Sequence, residues 1–155
     1  MEMEHEKTVE FNMGKGILFA FGGMLLGTIL WVAVIALLGT GTGGAVGGAA
    51  AAVIAMLIAG AYKAGKGAPN AVGIIIVALF SLIAVAVSIT VGTAFLIYGE
   101  GLGNSVMDSL TLLLDLLPVN DVLRRAFLQD FLICAGISVV LAIVTVVGSK
   151  KKQEQ

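Results

Sequence analysis

Between Lys15 and Lys63 the chain carries no Asp, Glu, Lys, Arg or His, an uncharged run of 47 residues. As a single helix it would reach roughly 70 Å at about 1.5 Å per residue, more than twice the ~30 Å of a hydrocarbon core. The run therefore has to double back. Gly39-Thr40-Gly41-Thr42-Gly43-Gly44 is the expected turn, because clustered glycines tolerate the backbone angles a reversal needs. Two spans follow, residues 16–38 and 43–62, each near the roughly 20 residues a crossing requires. A water-soluble reading fails on composition: 59% of the 155 residues are hydrophobic and 12% charged, against about 45–50% and 25% in soluble domains.

Lys63, Gly65, Lys66, Gly67 and Pro69 interrupt the pattern, and residues 71–98 then form a third apolar run, longer than a bilayer is thick. Its β-branched stretch Ile74-Ile75-Ile76-Val77 would suit a strand in water. A lone strand in lipid leaves its backbone unpaired, so length and setting decide for helix. The last uncharged run lies between Asp130 and Lys150, and the fourth span is read as 127–147. Asn120 or Asp121, following Pro118, is its expected N-cap. The expected fold is thus all-α: four transmembrane helices within residues 16–149, an acidic tail over 1–15, a basic and polar tail over 150–155, and an outer loop over 99–126.

Four crossings place the N-terminus, the 63–70 loop and the C-terminus on one side, with Lys7, Lys15, Lys63, Lys66, Lys150, Lys151 and Lys152. The other side has only Arg124 and Arg125. Loops rich in Lys and Arg resist translocation, so both ends are expected in the cytoplasm. The leader is acidic (Glu2, Glu4, Glu6, Glu10) and the first apolar run is long, which opposes a cleavable signal peptide and favours a retained first span. Tyr62 and Tyr98 fall at span ends, as amphipathic rings do, whereas Trp31 lies nearer the outer third.

In the outer loop Ser105, Asp108, Thr111 and Asp115 recur at spacings of three and four, one polar stripe on an otherwise apolar helix. An amphipathic helix in the interface between spans three and four is the expectation, serving as a spacer or as a docking surface. Asp121 stands three and four residues before Arg124 and Arg125, a spacing that suits helix-surface pairing and orientation anchors. Asp130 is the one acid near the membrane edge of span four; it either reaches the interface or pairs with an arginine, or it marks a functional site.

Lipid tails are as apolar as leucine, so spans associate through small residues that let backbones approach. Gly23 and Gly27 in span one, Gly43/Gly47 and Gly44/Gly48 in span two, and Ala84, Ser88 and Gly92 in span three repeat at four-residue spacing. Gly44, Gly48, Ala52, Ala55 and Ala59 continue one smooth face, suited to a close hairpin of spans one and two or to a seam between copies.

Chemistry-bearing motifs fail on context. Gly39-x-Gly41-x-x-Gly44 lacks the preceding strand and the acid about twenty residues on that dinucleotide binding needs. Gly60-x-x-x-x-Gly65-Lys66 has Gly67 where a phosphate loop has Ser or Thr. His5 is the single histidine and Cys134 the single cysteine, too few to define a metal site or a disulfide. Ser81, Ser88, Thr90 and Thr93 have no His or Lys within the spans to activate them, and no titratable group is expected inside for a proton relay. Net charge is −1 with no basic face, which opposes nucleic acid as a partner. No catalytic, cofactor-binding or metal-binding residue is expected, and the chain is read as not an enzyme.

The first span ending around Leu30-Trp31-Val32, the second ending in Ala61-Tyr62-Lys63 with Gly65 after it, and the third opening Gly73-Ile74-Ile75-Ile76 resemble a group of small, functionally uncharacterised four-span bacterial membrane proteins, mostly from Gram-positive genomes. The segments Val106-Met107-Asp108-Ser109-Leu110 and Arg125-Ala126-Phe127-Leu128-Gln129-Asp130-Phe131-Leu132 are similar to theirs as well. The resemblance implies a multi-pass protein of a bacterial cytoplasmic membrane and carries over no site. Some similar chains have a cysteine-bearing N-terminal segment suggestive of zinc binding; here an acidic tail stands in its place. The expected role is packing, with itself or with another membrane component, and the alternative is a small oligomeric transporter or channel. Reporter fusions at each end of the chain should both read as cytoplasmic; a translocated reporter at either end would overturn the four-crossing topology.

Overall fold

The computed structural model describes residues 10–38 and 44–153, so the expected 39–43 turn and the leader containing His5 lie outside the described residues. The described residues form five helices and no strand: α1 Met13–Leu38, α2 Gly44–Ala64, α3 Ala71–Gly99, α4 Val106–Leu116 and α5 Asp121–Gln153. Four of them, α1, α2, α3 and α5, are long and apolar enough to cross a membrane. The 11 residues of α4 extend about 17 Å, roughly half a hydrocarbon thickness. α3, at 29 residues, exceeds it.

The helices start where short polar side chains accept the amide protons that a first turn leaves unpaired. Asn12 Oδ1 accepts from Lys15 N at 2.9 Å, Asn70 Oδ1 from Gly73 N at 2.9 Å, and Ser105 Oγ from Asp108 N at 3.1 Å. Asn120, rather than Asp121, caps α5: its Oδ1 accepts from Val122 N and Leu123 N at 3.1 and 3.0 Å. At the other ends, α2 and α3 close alike. Gly67 N donates to Tyr62 O and Lys66 N to Lys63 O; Leu102 N donates to Ile97 O and Gly101 N to Tyr98 O. These paired reversals are Schellman motifs, whose pivot residue takes a left-handed φ. The pivots are Gly101 at +73° and, unusually for a residue with a side chain, Lys66 at +60°.

In the bundle α1 and α5 flank an α2–α3 pair, each packing against both, and α4 lies on α3. The core runs through Ala20, Ile35, Ile54, Ile58, Tyr62 and Val77 and on to Ala142 and Val146. A second cluster joins Ala51, Val85, Ile89 and Cys134. α4 buries Ser109 and Leu113, while Asp108, Thr111 and Asp115 are exposed together with Met107 and Leu114. Its outward surface therefore mixes acids with apolar side chains.

Close packing marks the end of the bundle where α1 starts and the α2–α3 loop turns. Tyr62 is 1% exposed, and its hydroxyl lies 3.1 Å from both the Ala68 carbonyl and Met13 Sδ. The carbonyl is the better acceptor for its one proton. A Cβ at Gly67 would fall inside the Tyr62 ring, and one at Gly73 would strike Ala68 O. Cβ atoms at Gly16 and Gly65 would stand 2.6 Å from Gly67 Cα and Lys15 O. The Asn12 amide adds a hydrogen bond of 2.8 Å to Lys66 O. Glycine at these positions lets the loop close down on one aromatic ring. Gly67→Ala should cost about 1–3 kcal/mol by overpacking, and Tyr62→Phe about 0.5–1.5 kcal/mol for the lost hydroxyl bond. Reversible unfolding in mixed micelles measures both, and a Gly67→Ala protein as stable as the parent would refute the cradle.

Candidate functional site

The small residues singled out by spacing are placed at contacts between helices of the same chain. A Cβ at Gly23 would come within 2.9–3.1 Å of Ala61, Leu57 and Ile58, and one at Gly27 within 3.3–3.5 Å of Ile54. At Gly23 α1 thus meets the α2 backbone at Leu57 and Ile58 and the methyl of Ala61, and at Gly27 it seats the Ile54 side chain. A Cβ at Gly48 would stand 3.0 Å from Ile137 Cδ1, which turns that part of the smooth face toward α5, although Ala55 and Ala59 are fully buried. Gly92 and Ser88 are buried in α3, and Gly44 opens α2.

Four buried serines are the polar groups of the interior. Ser81 Oγ donates to its own helix at Val77 O, 2.8 Å away. Ser138 Oγ of α5 donates across the bundle to Ala51 O of α2 at 3.1 Å. Ser88 Oγ has no hydrogen-bond partner among the described residues. It borders a void of about 10 Å³ between Trp31, Gly47, Ala51, Val85 and Cys134, about the room of one water. Ser81 and Ser88 therefore face the chain's own core.

At the opposite end from the Tyr62 cradle, Asp121 Oδ1 accepts from Arg124 Nη2 at 2.5 Å, and Arg124 Nη1 reaches Pro118 O at 3.4 Å. Both partners of the ion pair are exposed, and Arg125 is exposed beside them. Asp130 is half-buried one turn before Cys134, and no ion pair forms between it and either arginine. The polar cluster is thus one pair with two neighbours, spread over ten residues of α5. Among the described residues no group of three His, Cys, Asp or Glu is gathered as a metal site would require.

An apolar groove of about 600 Å³ lies between α1 and α2, lined by Leu18, Phe19, Gly22, Leu26, Met56 and Gly60 among others. Unlike Gly23 beside it, Gly22 has nothing within 4 Å of where a Cβ would stand, and the same holds for Gly60. Packing within the chain does not explain either glycine. A second apolar groove of about 460 Å³ lies farther along the same helix pair, between Trp31, Val34, Val46, Ala49, Ala50 and Val53. The sequence reading passed over Gly22 because Gly23 shares its signal, and over Gly60, whose four-residue spacing to Ala64 was the available clue.

No protein-family model, curated protein or solved structure matches the chain. The serine geometry separates two roles for a buried hydroxyl. Ser138→Ala should destabilise by about 0.6 kcal/mol, the typical worth of an interhelical bond in a membrane, while Ser88→Ala should be neutral or stabilising because it removes an unpaired group. Unfolding free energies in the opposite order would refute the assignment.

Proposed function

We propose that this is a non-enzymatic multi-pass protein of a bacterial cytoplasmic membrane, both ends cytoplasmic, that acts by lateral contact of its helices with another copy or another membrane component. The contact surface is the α1–α2 groove around Gly22 and Gly60. One observation carries this reading: two glycines whose faces open on an apolar recess that none of the described residues fills. In hydrocarbon an unfilled groove forfeits dispersion contacts along its whole lining, and exposed glycine backbone is where another chain can come closest. α4, with its exposed acids beside Met107 and Leu114, is the interfacial helix of the outer loop. The transporter reading gains no comparable support, since Ser81 and Ser88 face inward within one chain.

The test uses the full chain in a Cys134→Ala background, with Gly60→Cys carrying a photoactivatable crosslinker in native membranes. Gly60→Cys should give an adduct of discrete mass at several times the yield of Val140→Cys, an equally lipid-exposed position on α5. Equal patterns from the two positions would sink the proposed surface.

A further inference from the structure

The inner half of the α1–α2 groove has a charged mouth, and that combination defines an occupant. Taking the groove to be the contact surface proposed above, we infer that it binds an anionic phospholipid, one acyl chain lying along Leu18–Leu26 and the phosphate held by Lys15 and Lys66. The apolar lining runs from Leu18 to Leu26 on α1 and from Ala64 back to Met56 on α2, about 12 Å of helix. Immediately beyond Leu18 is a separate polar recess of about 460 Å³, lined by Glu10, Phe11, Asn12, Lys15 and Lys66. The two recesses meet at Phe19: its ring is part of the groove wall, and Lys15 Nζ lies 5.7 Å from its centroid. An apolar channel ending at ammonium groups at the membrane edge has the layout of a phospholipid, tail inward and phosphate at the interface.

The backbone fixes the two lysines together. Gly65 sits against the Lys15 carbonyl, and the Asn12 amide is bonded to Lys66 O. Lys66 occupies the left-handed pivot of the α2 Schellman motif at φ +60°, a position where glycine is usual, and has glycine on both sides. Folding alone would favour a third glycine there, so the side chain has another use. Segregation of Lys to the cytoplasmic side explains why lysines are present at this end of the bundle. It does not explain a lysine on the strained pivot beside the mouth of this groove. Glu10 in the same recess opposes an anion, and among the described residues that line it two ammonium groups stand against this one carboxylate. A zwitterionic choline headgroup brings its own cation to these lysines and is disfavoured.

The full-length protein, purified in detergent, is incubated with equal amounts of phosphatidylglycerol and phosphatidylcholine, and retained lipid is counted by native mass spectrometry. The parent should retain phosphatidylglycerol preferentially. Lys15→Gln and Lys66→Gly should each cut that preference on the order of fivefold, the worth of one basic residue near an anionic headgroup. Arg124→Gln, at the other end of the bundle, should leave it unchanged, and Gly22→Leu with Gly60→Leu should lower retention of both lipids by filling the groove. Lys66→Gly relieves the strained pivot, so a lost preference in a protein at least as thermostable as the parent is not a folding defect. Equal retention of the two lipids by the parent, or undiminished preference in the lysine variants, overturns the lipid assignment. If Gly60→Cys still gives protein adducts in that case, the groove holds a helix instead; if the adducts fail too, the surface itself is wrong.

Discussion

Inside hydrocarbon a helix gains little by moving leucine from lipid onto leucine of its neighbour, so this bundle depends on how closely its backbones approach. Several close approaches are at glycine. Gly23 of α1 lies against the α2 backbone at Leu57 and Ile58, Gly27 lies against Ile54, and Gly16, Gly67 and Gly73 close around the Tyr62 ring. Dispersion falls steeply with separation, and one added methyl at any of the cradle positions would force backbones apart. At Gly23 the missing side chain lets the α2 backbone come close, and at Gly27 it makes room for the Ile54 side chain.

The two ends of the bundle are built differently because of this. At the α1 start the reversal after α2 is short, pinned by the Asn12–Lys66 bond, and filled by Tyr62. At the other end α3 closes on Gly101, and the chain then lays α4 across α3 before Asn120 starts α5. There the anchoring contacts are few: Leu113 and Ser109 beneath α4, and the exposed Asp121–Arg124 pair, of a kind that contributes only about 0.2–0.5 kcal/mol. The buried hydroxyls differ in what they meet. Ser81 satisfies itself on its own helix and Ser138 stitches α5 to α2, whereas Ser88 and Ser109 have no hydrogen-bond partner among the described residues.

Much of the architecture was legible in the sequence because lipid limits the choices. The uncharged run from Lys15 to Lys63 forces a reversal, Pro118 and Asn120 mark the start of α5, and the 29 residues of α3 need no more than hydropathy to be found. What spacing could not say was which neighbour each small face would meet. Gly44, Gly48, Ala52, Ala55 and Ala59 read as one stripe, suited to a hairpin with span one or to a seam between copies; within the chain Gly48 lies against Ile137 of α5, because rotation of a helix about its axis is set by all its neighbours together. Tyr62 read as an interfacial anchor from its place at a span end. Its burial depends on Gly67 of the following loop, Gly73 of α3 and Gly16 of α1, a conjunction visible only once the chain has folded back. The α1–α2 groove was hidden for the opposite reason: Gly22 and Gly60 are defined by having nothing near them, and an absence has no spacing.

That absence sits beside the most constrained part of the molecule. Lys15, Gly16, Gly65 and Lys66 are locked within the same few ångströms that Tyr62 fills, so the mouth of the groove is held by the rigid end of the bundle. A recess formed by mobile segments would close over whatever space lipid left; one framed by backbone in direct contact cannot, since narrowing it would push Gly65 into the Lys15 carbonyl. The groove by Trp31 and Val46 is lined by apolar residues alone, with no charged residue at it. Shape persistence, and the ammonium groups at one end only, therefore distinguish the inner groove from the ordinary roughness of a lipid-facing surface.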